Sequence, residues 1–381
     1  MIIEMMTLIS LFLVIYHHAG YPIILKFIRY FFSSVKTSVV AQDNPIPSIT
    51  ILMPAYNEEA YIAEKIRNLA CLDYPSHRLE VVLISDGSTD RTVSVARDTS
   101  QETYCKNLRL KVIEQKENRG KVALLNMFLP SVTTDLVALT DVSSLISMDA
   151  LKICAERFSD PSIGGINGNY RLLNPGSEGE ARYWEYQREI KIGEEKLGSV
   201  LGAHGAFYMI RPELFCEMPD DTVNDDFVIP MNIVAQGFKV SYEPRLNAVE
   251  LECANTQQDW RRRLRISFGN AQQVIYLYKL FNPKFKGVAF AFFSGKGLRV
   301  SMPFFMIISF LGSLLLSAHP IFFILAACQV FVYSAALGVY LTPKFPHHKI
   351  LRTIHYLVCG HLANLIGAVR YLSNSKLNSW S

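Results

Sequence analysis

Residues 79–90 read "LEVVLISDGSTD", an apolar run that ends in a polar turn around Gly87. An apolar run of this length, bounded by turn residues, is typical of a buried strand. Similar runs occur before it, in "SITILMPAYN" (48–57), and after it, in "LRLKVIEQ" (108–115) and "DLVALTD" (135–141). Segments with apolar residues at helical spacing lie between them. This alternation predicts a parallel sheet with helices on its faces.

Polar clusters follow three of these runs. They are "PAYNEE" (54–59), "SDGSTD" (85–90) and "TDVSS" (140–144), and each falls where its predicted strand ends. The carboxyl ends of parallel strands meet at one edge of a sheet, and ligands bind at that edge. We therefore expect the three clusters to form one site.

Two apolar regions indicate membrane spans. Residues 300–341 contain no Asp, Glu, Lys or Arg over 42 residues, and "HP" at 319–320 divides them into two lengths. Each length is close to the about 20 residues that a spanning helix needs. Residues 6–32 are also apolar, and their bases, Lys26 and Arg29, come last, unlike those of a cleaved secretory signal. We predict a retained first span there.

A further apolar segment, 350–372, carries Arg352, His355, His361 and Arg370, so it is either a fourth span or an interfacial helix.

Basic residues indicate the orientation. They follow the first span, precede the second and recur in "TPKFPHHK" (342–349), so the positive-inside bias predicts that the middle of the chain is cytosolic. The formal net charge of +4 is then explained by bases near anionic lipid, and no nucleic-acid partner is expected. The seven cysteines include no C-x-x-C pair and are expected to be reduced packing residues.

Six motifs follow one another along the chain. They are "PAYNEE" (54–59), "VLISDGSTD" (82–90), "NRGKVALLN" (118–126), "LTDVSS" (139–144), "GAHGAFYMIR" (202–211) and "NDDF" (224–227). In this order and spacing the chain resembles the family 2 inverting glycosyltransferases, in particular the membrane-embedded cellulose, chitin, poly-N-acetylglucosamine, hyaluronan and related exopolysaccharide synthases. The resemblance implies an α/β GT-A fold, with a Rossmann-like nucleotide-binding domain, joined to α-helical transmembrane segments.

Four regions are expected on this basis. Residues 1–38 hold the N-terminal transmembrane helix and a juxtamembrane segment, 39–282 the cytosolic GT-A domain, 283–299 an interfacial segment, and 300–381 the C-terminal helices, at about 300–318, 321–341 and 350–372. The protein is then integral to the cell (inner) membrane, with its catalytic domain cytoplasmic.

The resemblance implies a nucleotide-sugar donor, with UDP-sugars favoured. The residues that match its donor motifs are Pro54, Tyr56, Glu58, Asp86, Lys121, Asp141, Gln258, Arg261 and Arg262. Asp86 could accept hydrogen bonds from a uracil or ribose edge, although a turn aspartate fits the same pattern. Lys121 would offer a point charge to the base or diphosphate, with a solvated surface lysine as the competing interpretation. Asp90 is expected to cap the next helix.

The family's metal motif is usually Asp-x-Asp, whereas this chain has Asp141-Val142-Ser143. Mg2+ or Mn2+ takes oxygens from a bound diphosphate and keeps waters, so one carboxylate with a hydroxyl or water can suffice. We therefore predict that Asp141 and Ser143 are metal ligands.

Inversion at an anomeric carbon needs a base that removes the acceptor proton. By match to the family's acid pair, Asp225 and Asp226 are the catalytic candidates and Asp226 is the base. The apolar spacing after them predicts that the pair begins a helix.

The expected acceptor region comprises Gly202, His204, Gly205 and Trp260. Family synthases that extend a held chain carry Gln-x-x-Arg-Trp, whose tryptophan lies under the acceptor sugar. Gln258 and Arg261 fit this pattern, but Arg262 occupies the tryptophan's place. The departure leaves open whether transfer is processive. Residues 181–199 are either an amphipathic helix at the membrane boundary near the acceptor site or a core-packing helix.

These features predict an inverting hexosyl- or N-acetylhexosaminyl-transferase that uses a glycan or lipid-linked acceptor in extracellular or cell-surface polysaccharide synthesis. Membrane lipid and other polysaccharide-synthesis subunits are further expected partners. The alternative is a catalytically inactive homologue that acts as a scaffold or export subunit. Retention of Asp86, Asp141 and Asp226 favours the enzyme, whereas the altered metal and tryptophan motifs keep the alternative open.

Overall fold

The computed structural model describes residues 1–31, 45–175, 178–252, 256–342 and 348–373, without the side chains of 178 and 256–259. The chain divides into two compact units. Within the described residues, the helical unit comprises 1–31, 178–183, 256–342 and 348–373, and the sheet unit comprises 45–175 and 184–252.

The sheet unit contains one mixed eight-stranded sheet. Its strands are β1 Ile49–Ala55, β2 Leu79–Asp86, β3 Leu110–Gln115, β4 Leu136–Leu139, β5 Ser144–Ile146, β6 Ile163–Leu172, β7 Tyr208–Ile210 and β8 Lys239–Glu250. They are arranged in the order β3-β2-β1-β4-β7-β6-β8-β5. The first four strands are parallel, as the sequence predicts, while β7 runs antiparallel to both β4 and β6.

Thirteen α-helices are assigned in the described residues. They are α1 Ile2–Ile15, α2 Tyr21–Phe31, α3 Ile62–Ala70, α4 Thr92–Ser100, α5 Lys121–Phe128, α6 Ala150–Arg157, α7 Glu178–Lys196, α8 Asp225–Ala235, α9 Thr256–Tyr276, α10 Gly287–Ala291, α11 Leu298–Leu315, α12 Pro320–Leu341 and α13 Lys349–Leu372. The predicted helices after β1, β2, β3 and β7 are confirmed as α3, α4, α5 and α8, and the predicted C-terminal helices as α11, α12 and α13.

The core of the sheet unit lies between the sheet and its helices. All seven residues of β1 are buried, and α3 packs Ile62, Ile66 and Leu69 into the same core. A strand that is buried along its whole length reads as a continuous apolar run, because helices cover both faces of a parallel sheet. This burial holds the carboxyl ends of β1, β2 and β4 side by side.

The helical unit contains three stretches that are long and apolar enough to cross a membrane: Ile2–Phe31, Gly287–Leu315 and Pro320–Leu341. The second begins before the predicted residue 300, because α10 and a π-helical turn continue into α11. Helix α13 is not one of these three described stretches. It packs closely on α9, since a Cβ at Gly367 would lie 2.6 Å from the backbone nitrogen of Phe268.

Candidate active site

The loops after β1 and β2 are tied to each other. The side chain of Asn57 accepts a hydrogen bond from the backbone of Thr89 at 2.8 Å, and Ser88 accepts one from the backbone of Asn57 at 3.1 Å. Asp90 accepts from the backbone nitrogens of Glu59 and of Thr92, the first residue of α4. Asp90 thus binds the backbone at the start of α4, although the N-cap residue itself is Arg91, one residue later than predicted.

Asp86 ends β2 and is only 1% exposed. Its two carboxylate oxygens accept hydrogen bonds from the backbone nitrogens of Arg119 and Gly120, at 2.9 and 2.8 Å. Both donors are backbone groups of the protein, whereas the sequence predicted hydrogen bonds to Asp86 from a uracil or ribose. Asp86 therefore holds the loop that begins α5, and its contact with a ligand stays a prediction.

Lys121 is the first residue of α5, so Asp86 fixes the start of the helix that carries it. Its Nζ donates to Asp141 Oδ1 at 2.8 Å and lies 3.3 Å from Asp225 Oδ2. Burial alone would lower the pKa of Lys121, but the carboxylates of Asp141, Asp225 and Asp226 outweigh it and raise that pKa above its usual range. Lys121 is thus a charged, partly buried group, and the solvated-lysine interpretation is wrong.

Asp141 follows β4 and is anchored through its backbone, whose nitrogen donates to the carbonyl of Gly205 at 3.1 Å. Its side chain is 39% exposed, which leaves it accessible to a ligand. A Cβ at position 205 would lie 2.7 Å from Asp141 Oδ2, so only glycine leaves the space beside that oxygen open.

Asp225 and Asp226 begin α8, as predicted. Asp226 Oδ2 accepts a hydrogen bond from the backbone nitrogen of Gly205 at 3.1 Å, and its carbonyl accepts one from Ala203 at 2.8 Å. Asp225 is 7% exposed and faces Lys121. One short segment, 203–205, therefore touches both Asp141 and Asp226.

Gly202 adopts a φ of +70°, and a Cβ there would lie 2.2 Å from the Phe227 ring. A side chain at this position would meet both backbone strain and a clash, so glycine brings the 203–205 segment onto α8.

An aromatic cluster adjoins this segment. It consists of Tyr170, Trp184 and His204. The ring centroids of Tyr170 and Trp184 lie 4.4 Å apart, and the centroid of His204 lies 5.3 Å from each of them. Neither Tyr170 nor Trp184 was predicted as a site residue. Their signal was weak, because Tyr170 lies in β6 and Trp184 in α7, far from the motifs along the chain.

Glu58 is half-buried behind the loop after β1, next to Tyr56, which is also half-buried, and to the buried Pro54. Burial raises the pKa of Glu58 to about 8, and the carboxylates of Asp141, Glu252 and Glu250 add to the shift. The carboxyl is therefore largely protonated near neutral pH.

Lys65 of α3 was also not predicted as a site residue. It is 0% exposed, and its Nζ donates to Thr140 Oγ1 at 2.6 Å and to the carbonyl of Ser144 at 2.5 Å. The sequence did contain a signal, because Lys65 falls on the apolar face of α3 between Ile62 and Leu69. A lysine in such a stripe is easily read as a side chain that reaches solvent.

The basic candidates lie in the other unit. Arg261 and Arg262 are exposed on α9, and Trp260 is partly exposed one residue earlier. Gln258 belongs to the same helix, but its side chain lies outside the described residues. The roles of these four residues stay predictions.

The fit of a divalent cation depends on Asp141. No group of three His, Cys, Asp or Glu side chains that could hold a metal ion occurs in the described ranges. Asp141 is nevertheless 39% exposed, and its Oδ1 pairs with the ammonium of Lys121. Hard cations accept diphosphate oxygens and water as ligands, so this donor set fits Mg2+ or Mn2+ when a diphosphate completes the shell. Ser143 is 8% exposed, and its role as a ligand stays a prediction.

Comparison with known proteins identifies the sheet unit. Residues 50–218 match the model of the family described as "Glycosyl transferase family 2". This segment is a glycosyl transferase family 2 domain. The match includes β1 to β7 and ends before the acid pair at the start of α8.

Curated relatives of the family 2 domain include bacterial synthases. The chain is 25% identical over 238 residues to poly-β-1,6-N-acetyl-D-glucosamine synthase of Staphylococcus aureus strain COL. The matched region covers 60% of this chain and 56% of that relative. It is 24% identical over 245 residues to the synthase of the same name from Staphylococcus epidermidis, which covers 62% and 58%. The match thus spans just over half the length of these relatives.

A solved structure extends the likeness in fold to nearly the whole chain. The mannosyltransferase PcManGT from Pyrobaculum calidifontis, solved in complex with GDP-Man and Mn2+, has a TM-score of 0.73 and 23% identity, and covers 97% of this chain and 99% of its own. The family 2 domain therefore has the predicted GT-A fold.

Proposed function

We propose that the protein is a membrane-bound glycosyltransferase that moves a sugar, with inversion, from a nucleotide sugar to a glycan or lipid-linked acceptor. The observation that carries this proposal is the joint placement of Asp141, Lys121 and Asp226 around Gly205. An open carboxylate, a cation and a second carboxylate within one small region are the groups that such a transfer requires.

The donor is proposed to bind at the carboxyl ends of β1, β2 and β4. Lys121 supplies positive charge there for a diphosphate, and a protonated Glu58 can donate a hydrogen bond to a nucleoside oxygen. UDP-sugars are favoured, since the curated relatives are poly-N-acetylglucosamine synthases, although PcManGT was solved with GDP-Man. A divalent cation held by Asp141 would neutralise charge on the leaving diphosphate.

Asp226 is proposed as the general base. Its carboxylate takes the proton from an acceptor hydroxyl, whose oxygen forms a bond to the anomeric carbon. The bond from that carbon to the diphosphate oxygen breaks on the opposite face, and the nucleoside diphosphate leaves with the electron pair. The hydrogen bond from Gly205 orients one oxygen of Asp226 beside the 203–205 segment.

The acceptor is proposed to lie on the side of Gly202, His204 and Trp184, next to Asp226. Aromatic rings bury the apolar face of a sugar, and a few polar groups then fix its orientation. Extracellular or cell-surface polysaccharide is the proposed product, by likeness to the named synthases. Other subunits of a polysaccharide-synthesis complex are proposed partners on the same ground.

The proposed location is the inner membrane, with the family 2 domain in the cytosol. Lys26 and Arg29 lie near the C-terminal end of the first apolar stretch, and Lys296 and Arg299 precede the uncharged part of the second, which is the positive-inside arrangement. We propose the same four regions as the sequence predicts: the first membrane helix and juxtamembrane segment at 1–38, the cytosolic domain at 39–282, the interfacial segment at 283–299 and the C-terminal helices at 300–381.

Product analysis tests the proposal. Purified full-length protein is offered a panel of UDP- and GDP-sugars with Mg2+ or Mn2+ and membrane lipid, and products are identified by mass. We expect release of nucleoside diphosphate and a product heavier by one or more sugar residues. Release of no diphosphate from any donor, in protein that folds normally, would favour the inactive scaffold or export subunit instead.

A further inference from the structure

Lys65 occupies a position that the proposed reaction does not explain. Its ammonium is fully buried beneath the "TDVSS" loop, where it donates to Thr140 Oγ1 at 2.6 Å and to the carbonyl of Ser144 at 2.5 Å. A longer contact of 3.4 Å reaches Ser144 Oγ. A single side chain therefore contacts the first and last residues of the loop that carries Asp141.

The same two loop residues are fixed from the other side. Thr140 Oγ1 and Ser144 Oγ both donate to the carbonyl of Ala206 at 2.6 Å, and the backbone nitrogen of Asp141 donates to Gly205 at 3.1 Å. The loop is thus hydrogen-bonded on one side to Lys65 of α3 and on the other to residues 205–206, which precede β7. Asp141 lies between Thr140 and Ser144, the two residues that these hydrogen bonds hold.

Burial of the Lys65 ammonium costs desolvation free energy. In the part of the chain that the structure describes, the hydrogen-bond partners of Lys65 are all neutral oxygens. Burial lowers the pKa of Lys65 to about 7, although the carboxylates of Asp141 and Glu250 act in the opposite direction. An apolar side chain would avoid this desolvation, and apolar replacements of buried charges are often neutral or stabilising. The cost of desolvating Lys65 therefore favours a contribution to the site in addition to these hydrogen bonds.

We propose that Lys65 is a positioning residue for Asp141, which holds the "TDVSS" loop so that its one carboxylate faces the donor diphosphate. This inference rests on the proposed function. The loop has Ser143 where the family's motif usually has a second acid, so the orientation of Asp141 alone must keep the cation and diphosphate in place. Groups that orient a metal ligand from behind are an established part of metal sites.

The test compares Lys65→Met with a surface control, Lys152→Met, in full-length protein. Lys152 is 54% exposed and pairs with Asp73 on the surface. Calorimetry measures the affinity for UDP and for GDP in the presence of Mn2+, and thermal melting measures stability. For Lys65→Met we expect an unchanged or higher melting temperature and an about 10- to 100-fold weaker metal-dependent affinity, the range for losing a group that orients a metal ligand. The control should match the wild type in affinity.

A merely structural role would produce the opposite pattern. Lys65→Met would then melt at a lower temperature, while the folded fraction bound UDP or GDP with Mn2+ as the wild type does, and this result would overturn the proposal. Failure of the wild type to bind either nucleotide would overturn the proposed function as well, so the two failures are distinguishable.

A second pair of variants covers the case in which Lys65→Met does not fold. Thr140→Val removes the hydroxyl that Lys65 and Ala206 share, whereas Thr140→Ser keeps it. We expect Thr140→Val to weaken metal-dependent nucleotide binding and Thr140→Ser to retain it. Equal, wild-type affinity of both variants would contradict the positioning role.

Discussion

Lys121 Nζ lies 2.8 Å from Asp141 Oδ1 and 3.3 Å from Asp225 Oδ2, so one ammonium links the end of β4 to the start of α8. The Lys121 and Asp225 side chains are only 18% and 10% exposed. Removal of one member of a buried ion pair leaves the other charge unpaired, which is more destabilising than loss of a surface contact.

Lys121→Met should therefore destabilise the protein by about 3 kcal/mol, the lower end of the range for breaking a buried pair. Asp225→Asn in the same chain should recover part of the loss, because the unpaired carboxylate is then removed. Thermal or denaturant unfolding of both variants measures this. Equal stability of Lys121→Met and wild type would show that the pair contributes nothing to folding.

Asp226→Asn should lower turnover by at least about 100-fold and leave nucleotide binding nearly intact, as expected for loss of a general base. Asn keeps an oxygen that can accept from Gly205, so the local structure should persist. Steady-state release of UDP or GDP, together with calorimetric affinity, separates the two effects. If Asp225→Asn abolished turnover and Asp226→Asn kept it, the base would have been assigned to the wrong acid.

Glu58→Gln should change the dependence of stability on pH. The pKa of Glu58 is raised from 4.5 to about 8, chiefly by burial, so the folded protein favours the protonated form. Ionisation then costs stability as the pH rises from about 4.5 through about 8. The variant cannot ionise there, so it should gain stability relative to the wild type across this interval and keep the gain above it.

Melting temperatures at a series of pH values check this prediction. Glu213→Gln, at an exposed position, is the control and should run parallel to the wild type. A stability difference between Glu58→Gln and wild type that does not change with pH would contradict the predicted shift.

Reporter fusions should place residues 45–252 in the cytosol and His319, between α11 and α12, on the opposite side of the membrane. The basic residues near the C-terminal end of the first apolar stretch, and those before the uncharged part of the second, motivate this. An external signal from a reporter within 45–252 would also exclude cytosolic nucleotide sugars as donors.

The fold was predictable where local patterns carry the information. The ends of β2 at Asp86 and of β4 at Leu139, two residues before Asp141, follow from buried apolar runs that stop at polar clusters. The helix start at Asp225 follows from apolar spacing. The antiparallel part of the sheet was not predicted, because β7 and β5 have three residues each and pair with strands far along the chain.

The acidic residues of the site were predictable from the sequence, but the hydrogen bonds that connect them were not. The contacts of Gly205 with Asp141 and Asp226 join three separate motifs, and no spacing within one motif encodes them. Lys65 was missed for a related reason. Its burial depends on the "TDVSS" loop lying above α3, whereas the local sequence contains only a lysine in a helix.

The central claim is that Asp141, as a single carboxylate, holds a divalent cation only together with the donor diphosphate. A lone carboxylate leaves most of a Mg2+ shell to water, so affinity without nucleotide should be poor. Ser143→Asp, which restores the usual acid pair, should tighten cation binding without being required for activity.

Calorimetry of Mg2+ or Mn2+ binding, with and without UDP or GDP, tests this claim most directly. We predict binding only when the nucleotide is present, and loss of the metal-dependent part in Asp141→Ala. Tight binding of the cation without nucleotide, retained in Asp141→Ala, would contradict the account and place the metal on other residues.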